Sequence, residues 1–166
     1  HASHHNDRLT RRRAMEPAPT KVVEIAVNLD DVTGEVVADA IDALLADGAI
    51  DAWAAPITMK KGRPAVMLSL LCTPAQCETL AERLLELTGS FGVRYREWGR
   101  VVLDRRKLTV ETEFGPVDVK VGSMRGRDTV VKAEYDVAAR LAAERGVPVR
   151  RVIDAAKAAA AREVRP

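Results

Sequence analysis

The chain has 166 residues, of which 47% are hydrophobic and 30% are charged, and its formal net charge is +2. Such a length suits one domain with its own core, or one domain with an appendage, and the balanced charge gives no global reason to expect nucleic-acid binding. With only Cys72 and Cys77, no run of about 18 apolar residues and a polar, basic N-terminus, the sequence predicts a cytoplasmic protein without a disulfide framework, membrane span or signal peptide.

The first twenty residues differ in composition from the rest of the chain. They hold all three histidines and show no apolar period. We predict that residues 1–20 form a disordered tail, a tag remnant or a linker, and that residues 21–166 form the folded part. The alternative for the histidines in "HASHH" is a site for a soft metal.

Residues 21–98 alternate between strand and helix signals. Strands are predicted from β-branched residues and alternation at 21–29, 49–59, 64–72 and 91–98. One helix begins at the cap Thr33, and a second begins at a capping box of Thr73 and Gln76. The resulting βαββαβ order is typical of a ferredoxin-like core, with two helices on one face of the sheet. The other face is left to be covered or to bind something.

Residues 99–166 predict a β-hairpin followed by two helices, which makes the whole chain α+β. The hairpin turns near Gly115, and a glycine-containing loop follows at 122–128. The helices are expected from about Ala133 to Arg145 and from Pro148 to about Arg162.

Several familiar catalytic signatures are absent from the sequence. It has no GxxxxGK[ST] phosphate loop and no GxGxxG. No histidine follows residue 20, which removes histidine general bases and histidine-ligated zinc from the folded part. Cys72 and Cys77 lack a second pair for structural zinc, and as buried small hydrophobes they need no further role.

Two adjacent carboxylates, Asp30 and Asp31, stand between a predicted strand and a predicted helix. Backed by Glu35 and by the amide oxygen of Asn28, they suit a hard divalent ion such as Mg²⁺ or Mn²⁺. The other interpretation is that one aspartate caps the helix, the other is solvated, and Asn28 only holds the turn.

Basic residues cluster in two places. Lys60, Lys61 and Arg63 crowd the turn between two predicted strands, which favours an anion with several oxygens such as a phosphate chain. The alternative is a solvated hairpin tip. The second group comprises Arg94, Arg96, Arg100, Arg105, Arg106 and Lys107.

Within the second group, Arg94 and Arg96 share one strand face, which is hard to bury without an anionic partner. Arg125 and Arg127 of the glycine-containing loop would add mobile donors that could close over a ligand.

A last cluster, "KAEYD", begins the first of the C-terminal helices. Glu134 is favoured there by the helix dipole alone, and Tyr135 could stack on a base or simply pack. Together, the acids and the basic clusters describe a metal–polyphosphate site, which is a nucleoside triphosphate pattern without a Walker loop.

Read in order, five blocks of the chain are more specific than any single motif. They are "NLDDVTGE", "APITMKKGRP", "GVRYREWGRVVLDR", "FGPVDVKV" and "KAEYDVAARLAAERGVPV". From about residue 22 to residue 160 they resemble the C-terminal domain of the LarC-type nickel insertion proteins. Gly34, Ala55 and Ala133 depart mildly from that family's usual forms. The larger departure is extent, because the family's N-terminal domain and histidine-rich segment are missing.

The resemblance implies a CTP-dependent nickel chelatase, or cyclometallase, of the lyase class. Such a protein inserts nickel into pyridinium-3,5-bisthiocarboxylic acid mononucleotide and so completes the nickel-pincer cofactor of lactate racemase-type enzymes. CTP would be split into CMP and pyrophosphate with Mg²⁺ or Mn²⁺ present, and the C-terminal domain would bind metal–CTP. The implied partners are an N-terminal nickel-handling domain, missing here or on a separate chain, and further copies in a homo-oligomer.

When the family's motifs are matched to this sequence position by position, the resemblance implies a role for each cluster. The metal would face Asp30, Asp31 and Glu35. The phosphates would face Lys60, Lys61, Arg63, Arg94 and Arg100. Lys60 and Lys61 are also the candidates for catalysis. Additional site residues would be Asn28, Glu134 and Tyr135.

A ferredoxin-like core is also compatible with two other functions. The alternative is a non-catalytic ferredoxin-like regulatory module that binds a small anionic ligand without a divalent ion. An RNA-binding ferredoxin-like domain is disfavoured, because the chain has two Phe, two Tyr and two Trp and none lies in an array suited to stacking bases on a sheet.

Overall fold

The computed structural model describes residues 13–14 and 20–164, which fall into two compact units. One unit comprises the described residues from Thr20 to Val101, and the other comprises those from Val102 onward together with Arg13–Ala14. The predicted histidine cluster lies outside the described residues. Of the predicted tail, only Arg13–Ala14 and Thr20 are described, and Arg13–Ala14 forms a short strand, β1, that the sequence did not predict.

The first unit has the predicted ferredoxin-like element order. Its elements are β2 (Lys21–Leu29), α1 (Gly34–Ala46), β3 (Asp51–Thr58), β4 (Pro64–Cys72), α2 (Cys77–Thr88) and β5 (Arg94–Gly99). The four strands form one antiparallel sheet in the order β3-β4-β2-β5. Because neighbouring strands are antiparallel, β2 and β3 end where β4 and β5 begin. We call this the Asp30 end of the sheet, after the residue that follows β2.

The helix boundaries follow the local signals read from the sequence. The Thr33 hydroxyl accepts a hydrogen bond from the Val36 N–H (3.4 Å) and so caps α1. Before α2, Thr73 and Gln76 form the predicted capping box. Gly89 ends α2 in the left-handed region, at φ 66°, where a side chain would be strained.

One face of this sheet is packed and the other is open. Alternate residues of β2, including Ile25 and Val27, form a buried core with residues of both helices such as Leu44 and Leu84. The intervening residues of β2, Glu24 among them, lie on the open face. The prediction that both helices cover one face is therefore confirmed.

The second unit is also a sheet with helices. Its further elements are β6 (Asp104–Thr112), β7 (Gly115–Met124), β8 (Arg127–Ala133), α3 (Tyr135–Arg145) and α4 (Val149–Ala160). The antiparallel order is β1-β6-β7-β8. Val119 and Val121 of β7 form its core with Leu141 of α3 and Val152 of α4. No helix in the described part of the chain has the length and apolar character needed to cross a membrane.

The prediction of a glycine-containing loop at 122–128 is wrong. β7 continues to Met124, and a two-residue turn with positive φ at both Arg125 (50°) and Gly126 (79°) connects it to β8. Two successive positive φ values are typical of the tightest β-hairpins. Arg125 and Arg127 therefore belong to a hairpin and not to a glycine-containing loop.

Candidate functional site

The Asp30 end of the first sheet brings together residues that are far apart in the sequence. Asp30 follows β2, the basic turn at 60–63 joins β3 to β4, and Arg94 begins β5. Nη1 of Arg63 lies 3.3 Å from Oδ2 of Asp30, with the two side chains 56% and 27% exposed. An acid and a base predicted for one site are thus in contact.

A second contact extends this cluster along the open face of the sheet. Nη2 of Arg94 donates to Oδ1 of Asn28 (2.9 Å) and lies 3.2 Å from Sδ of Met67. Asn28 is the last but one residue of β2, two residues before Asp30. The Asn28–Arg94 contact therefore joins the Asp30 end to the open face.

The basic turn presents its two lysines to solvent. Its backbone is closed by a hydrogen bond from the Met59 N–H to the Arg63 carbonyl (2.9 Å). Lys61 has φ 63°, the left-handed region that side chains rarely adopt. Both Lys60 and Lys61 are exposed, and neither makes an ion pair with any described residue. Exposed cations without internal partners are available to an incoming anion.

The remaining carboxylates lie near the start of α1. Asp31 and Glu35 are both exposed, and within residues 20–164 no group of three or more acidic, histidine or cysteine side chains is placed to hold a metal ion. Mg²⁺ usually takes only one or two protein carboxylates and completes its shell with water and phosphate oxygens. The donor set fits an ion that arrives with a polyphosphate, and it does not fit an ion enclosed by protein alone.

Three of the predicted residues are not brought to the Asp30 end by the first unit. Arg100 lies beyond the opposite end of β5, where its N–H donates to the Thr20 carbonyl (2.8 Å). Six residues of extended strand, about 20 Å, separate it from Arg94. Glu134 and Tyr135 belong to the second unit, where Glu134 pairs with Lys120 (2.7 Å) and Tyr135 is 61% exposed.

In the second unit, two basic residues of β6 form ion pairs with acids of β7 and β8. Arg106 forms a two-pronged ion pair with Asp128, whose side chain is only 1% exposed, and Nη2 of Arg106 lies 2.6 Å from Oδ2 of that carboxylate. Nζ of Lys107 lies 2.9 Å from Oδ2 of Asp118. The hydrogen bond from Lys107, followed by one from Thr109, holds the pKa of Asp118 below its usual value.

The expectation that both cysteines are buried holds for Cys72, whereas Cys77 is only partly buried. Cys72 is buried, and its Sγ lies 3.7 Å from the Val23 carbonyl. Burial, with a smaller contribution from Cys77, raises the pKa of Cys72 to about 11, and burial also raises the pKa of Cys77. The raised pKa values favour the protonated thiols near neutral pH, which disfavours nucleophilic attack by either cysteine.

A set of contacts on the open face was missed by the sequence analysis. Nε1 of Trp98 donates to Oε2 of Glu24 (2.7 Å), and the guanidinium of Arg96 lies over the Trp98 ring at 3.9 Å. The alternation of Arg94, Arg96 and Trp98 signals their shared face. Glu24 carried no such signal, because it faces Arg96 only through the pairing of β2 with β5.

The comparisons with known proteins agree on one family. The family model described as nickel insertion protein matches residues 7–153. The pyridinium-3,5-bisthiocarboxylic acid mononucleotide nickel insertion protein of Lactiplantibacillus plantarum is 39% identical over 135 residues, which cover 81% of this chain and 32% of that protein. The chain spans about a third of the length of the curated relatives it matches.

Two solved structures are similar in fold. One is LarC2 in its apo form, described as the C-terminal domain of a cyclometallase involved in the synthesis of the NPN cofactor of lactate racemase. It has a TM-score of 0.80, is 38% identical, and the match covers 85% of this chain and 97% of that one. The other is protein MK0293 from Methanopyrus kandleri, with a TM-score of 0.66, 31% identity and coverage of 83% and 85%. The chain therefore belongs to the nickel insertion protein family.

Proposed function

We propose that the Asp30 end of the first sheet binds a divalent metal–CTP complex, and that this chain supplies the nucleotide-binding part of a cyclometallase. The observation that supports this most is the basic turn. Lys60 and Lys61 are exposed and have no ion-pair partner among the described residues, and they stand beside the Asp30–Arg63 pair. Such a site offers cations for phosphate oxygens and a carboxylate for a hard metal ion.

The residues have separable roles in this proposal. In the net hydrolysis of CTP, an oxygen from water becomes bonded to the α-phosphorus to give CMP, and the proton passes to solvent. The bond from the α-phosphorus to the oxygen that bridges it to the β-phosphorus breaks, and negative charge grows on the pyrophosphate that leaves. Lys60 and Lys61 would stabilise that charge, because preorganised cations near developing charge lower the barrier. Arg63 and Arg94 would orient the phosphate chain, since a guanidinium can bind two oxygens at once.

The divalent ion would be held by Asp30 with Asp31, Glu35 or the Asn28 amide as further oxygen ligands. A bound Mg²⁺ or Mn²⁺ supplies charge neutralisation on the phosphates. Asp30 makes its ion pair with the more exposed Arg63 at 3.3 Å, so exchanging this contact for a metal and a phosphate costs little.

In the whole protein we propose the activity carried by its relatives. Nickel is the substrate metal, and it would be inserted into pyridinium-3,5-bisthiocarboxylic acid mononucleotide to give the nickel-pincer cofactor. A nickel-handling region would complete the site from the longer protein or from a separate chain, and the complete protein would act as a homo-oligomer.

The test is calorimetric titration of the chain with CTP, with and without Mn²⁺, for the wild type and Asp30→Asn. We expect binding by the wild type only with Mn²⁺, and a loss of at least about tenfold in affinity for Asp30→Asn, because a neutral amide is a weaker ligand for a hard cation. Asp51→Asn is the matched control, since Asp51 begins β3 at the opposite end of the same sheet.

Binding that is equally strong without a divalent ion would contradict this proposal and favour a regulatory module that senses a small anion. Absence of heat for CTP with Mn²⁺ would contradict nucleotide binding by this chain.

A further inference from the structure

The second sheet also has an open face, opposite the one that α3 and α4 cover. Val119 and Val121 of β7 belong to the buried core, and Val131 of β8 packs against it. Successive side chains of a strand point to opposite faces, so Lys120 and Lys132 point away from the helices. Both lysines are exposed. They therefore lie on a face of the sheet that neither helix covers.

Three lysines form a row across this face, which we call the lysine row. Lys107 of β6 is the cross-strand neighbour of Lys120 on β7, and Lys120 is the neighbour of Lys132 on β8. Neighbouring strands lie about 4.8 Å apart, so the row spans about 10 Å. Like charges directly opposite each other destabilise a sheet. The fold alone therefore gives no reason for this arrangement.

The carboxylates beside the lysine row do not balance its charge. Nζ of Lys107 lies 2.9 Å from Oδ2 of Asp118, and Nζ of Lys120 lies 2.7 Å from Oε1 of Glu134. Lys132 forms no ion pair with any residue in the part of the chain that the structure describes. Three cations thus face two anions, and the unpaired cation is exposed. An external anion can neutralise the charge that remains.

An apolar surface lies next to the lysine row. Gly122 follows Lys120 by two residues and is on the same face of β7. A Cβ on Gly122 would lie 2.8 Å from Cδ1 of Leu103 and 3.4 Å from Cβ of Val130, so these two side chains flank the glycine. Val130 is 37% exposed. Cations beside an aliphatic surface suit an aromatic ring that carries an anionic group.

We propose that the open face of the second sheet binds a pyridine mononucleotide, with its phosphate on the lysine row and its ring over Leu103 and Val130. This inference rests on the part of the proposed function that concerns the substrate, and it names where that substrate is held. A phosphate monoester carries a charge of about −1.5 to −2 at pH 7. It can accept hydrogen bonds from several ammonium groups at once, with Lys132 as the open donor.

Holding the substrate by its phosphate leaves the reacting groups accessible. The two thiocarboxylates carry the sulfur donors that can bind nickel, and a lysine paired with either of them would compete with the metal. The lysine row instead holds the end of the nucleotide that does not react. Binding energy from such a remote group can position the reacting part of a substrate.

The experiment is calorimetry of the full chain with the oxygen analogue of the substrate, pyridinium-3,5-dicarboxylic acid mononucleotide, in the absence of CTP. We expect Lys132→Ala to weaken binding at least about tenfold, because one charge-assisted hydrogen bond to phosphate is removed. Lys157→Ala is the matched control, since Lys157 is an exposed lysine of α4, which covers the other face of the same sheet. Its affinity for the analogue should equal that of the wild type.

Two further probes test the assignment of the phosphate and of the ring. The riboside of the analogue, which lacks the phosphate, should bind more weakly, and Lys132→Ala should not weaken it further. A loss in Lys132→Ala that is as large for the riboside as for the nucleotide would contradict a phosphate on the lysine row. CMP has a phosphate but no pyridinium ring, and CMP binding as tight as that of the analogue would overturn the assignment to a pyridine nucleotide.

The outcomes separate this inference from the proposed nucleotide site. Equal affinity of the wild type and Lys132→Ala for the analogue overturns the inference. So does binding that is lost in Lys60→Ala/Lys61→Ala and kept in Lys132→Ala, because the analogue would then occupy the Asp30 end. A wild type that binds the analogue through Lys132 but does not bind CTP with Mn²⁺ overturns the proposed CTP site and leaves the site on the second sheet standing.

Discussion

The turn at 60–63 and strand β6 each carry three basic residues within four positions, yet the two units place them in different surroundings. In the turn, Lys60 and Lys61 are exposed without ion-pair partners among the described residues, and only Arg63 has one, Asp30. In β6, Arg106 and Lys107 are paired with Asp128 and Asp118.

The difference lies in what the neighbouring strands offer. A residue within a sheet faces side chains of the strands beside it. The adjacent strand β7 supplies Asp118 to Lys107, and β8, one strand further, supplies Asp128 to Arg106. A turn at the end of a sheet has no such neighbour on its outer side. Basic residues that pair with carboxylates inside the fold contribute to stability. Exposed basic residues without an ion-pair partner, at the end of a sheet, can bind a ligand instead. The predictions below test this separation of roles.

The largest expected effect is on binding. In the double variant Lys60→Ala/Lys61→Ala, the affinity for Mn²⁺–CTP should fall at least about 100-fold, because each charge-assisted hydrogen bond contributes about 1.5–3 kcal/mol. The free energy of unfolding should change by less than about 0.5 kcal/mol, since the lysines touch nothing that folding needs. Calorimetry and urea unfolding measure the two quantities. Arg105→Ala, at an exposed position of β6, is the control and should change neither quantity, so equal weakening by this variant would contradict the assignment.

The second prediction concerns stability. Asp128→Ala should lower the free energy of unfolding by about 3 kcal/mol, because Arg106, whose side chain is only 19% exposed, loses its charged partner. Urea unfolding measures the change. Asp104→Ala, at the exposed start of β6 in the same sheet, provides the comparison and should cost less than about 0.5 kcal/mol. A cost below about 1 kcal/mol for Asp128→Ala would show that this pair does not hold the second sheet.

The third prediction sharpens the contrast within the turn itself. At Lys61, whose φ is 63°, glycine should give a more stable protein than alanine by about 1 kcal/mol, because a side chain is strained in the left-handed region. At Lys60 the same comparison should not favour glycine. Thermal or urea unfolding of the four single variants measures both differences. Equal stability of the Lys61→Ala and Lys61→Gly variants would mean that the turn adopts another conformation in solution.

The smallest expected effect depends on pH. The pKa of Asp118 is lowered in the folded protein, chiefly by Lys107 and then by Thr109, so its carboxylate stabilises the fold above its unfolded pKa of about 3.9. That contribution is lost as the pH falls through the lowered pKa. Asp118→Asn should therefore cost less than about 1 kcal/mol at pH 7, because the pair is partly exposed. Unfolding across the acid range should show the difference disappear at low pH, and a constant difference would exclude the ion pair as its cause.

The predictable part of the structure is local. Thr33, the Thr73–Gln76 capping box and Gly89 are signals read from neighbouring residues, and they set the helix boundaries correctly. β8 was missed because its turn, Arg125–Gly126, lacks the usual Asn-Gly or Asp-Gly signal. The sequence analysis had no signal for this strand beyond a few β-branched residues.

The sequence suggested which residues to consider for the candidate site. It did not predict which of them lie in contact with one another. Nearness in sequence grouped Arg94 with Arg100, but extended strand carries them to opposite ends of the sheet. The pairing of Asp30 with Arg63 and the alignment of Glu24 with Arg96 depend on strand register, which no short stretch of sequence encodes.

The measurement that tests the central claim most directly is an amide chemical-shift titration of the isotopically labelled chain with Mg²⁺–CTP. The predicted result is a set of shifts concentrated at Asp30 and Asp31, at the basic turn including Gly62, and at Arg94, with the amides around Arg106 and Asp128 unchanged. Shifts centred on Arg106 and Asp128, or no shifts at the Asp30 end, would contradict the assignment of the nucleotide site to the open cations of the first unit.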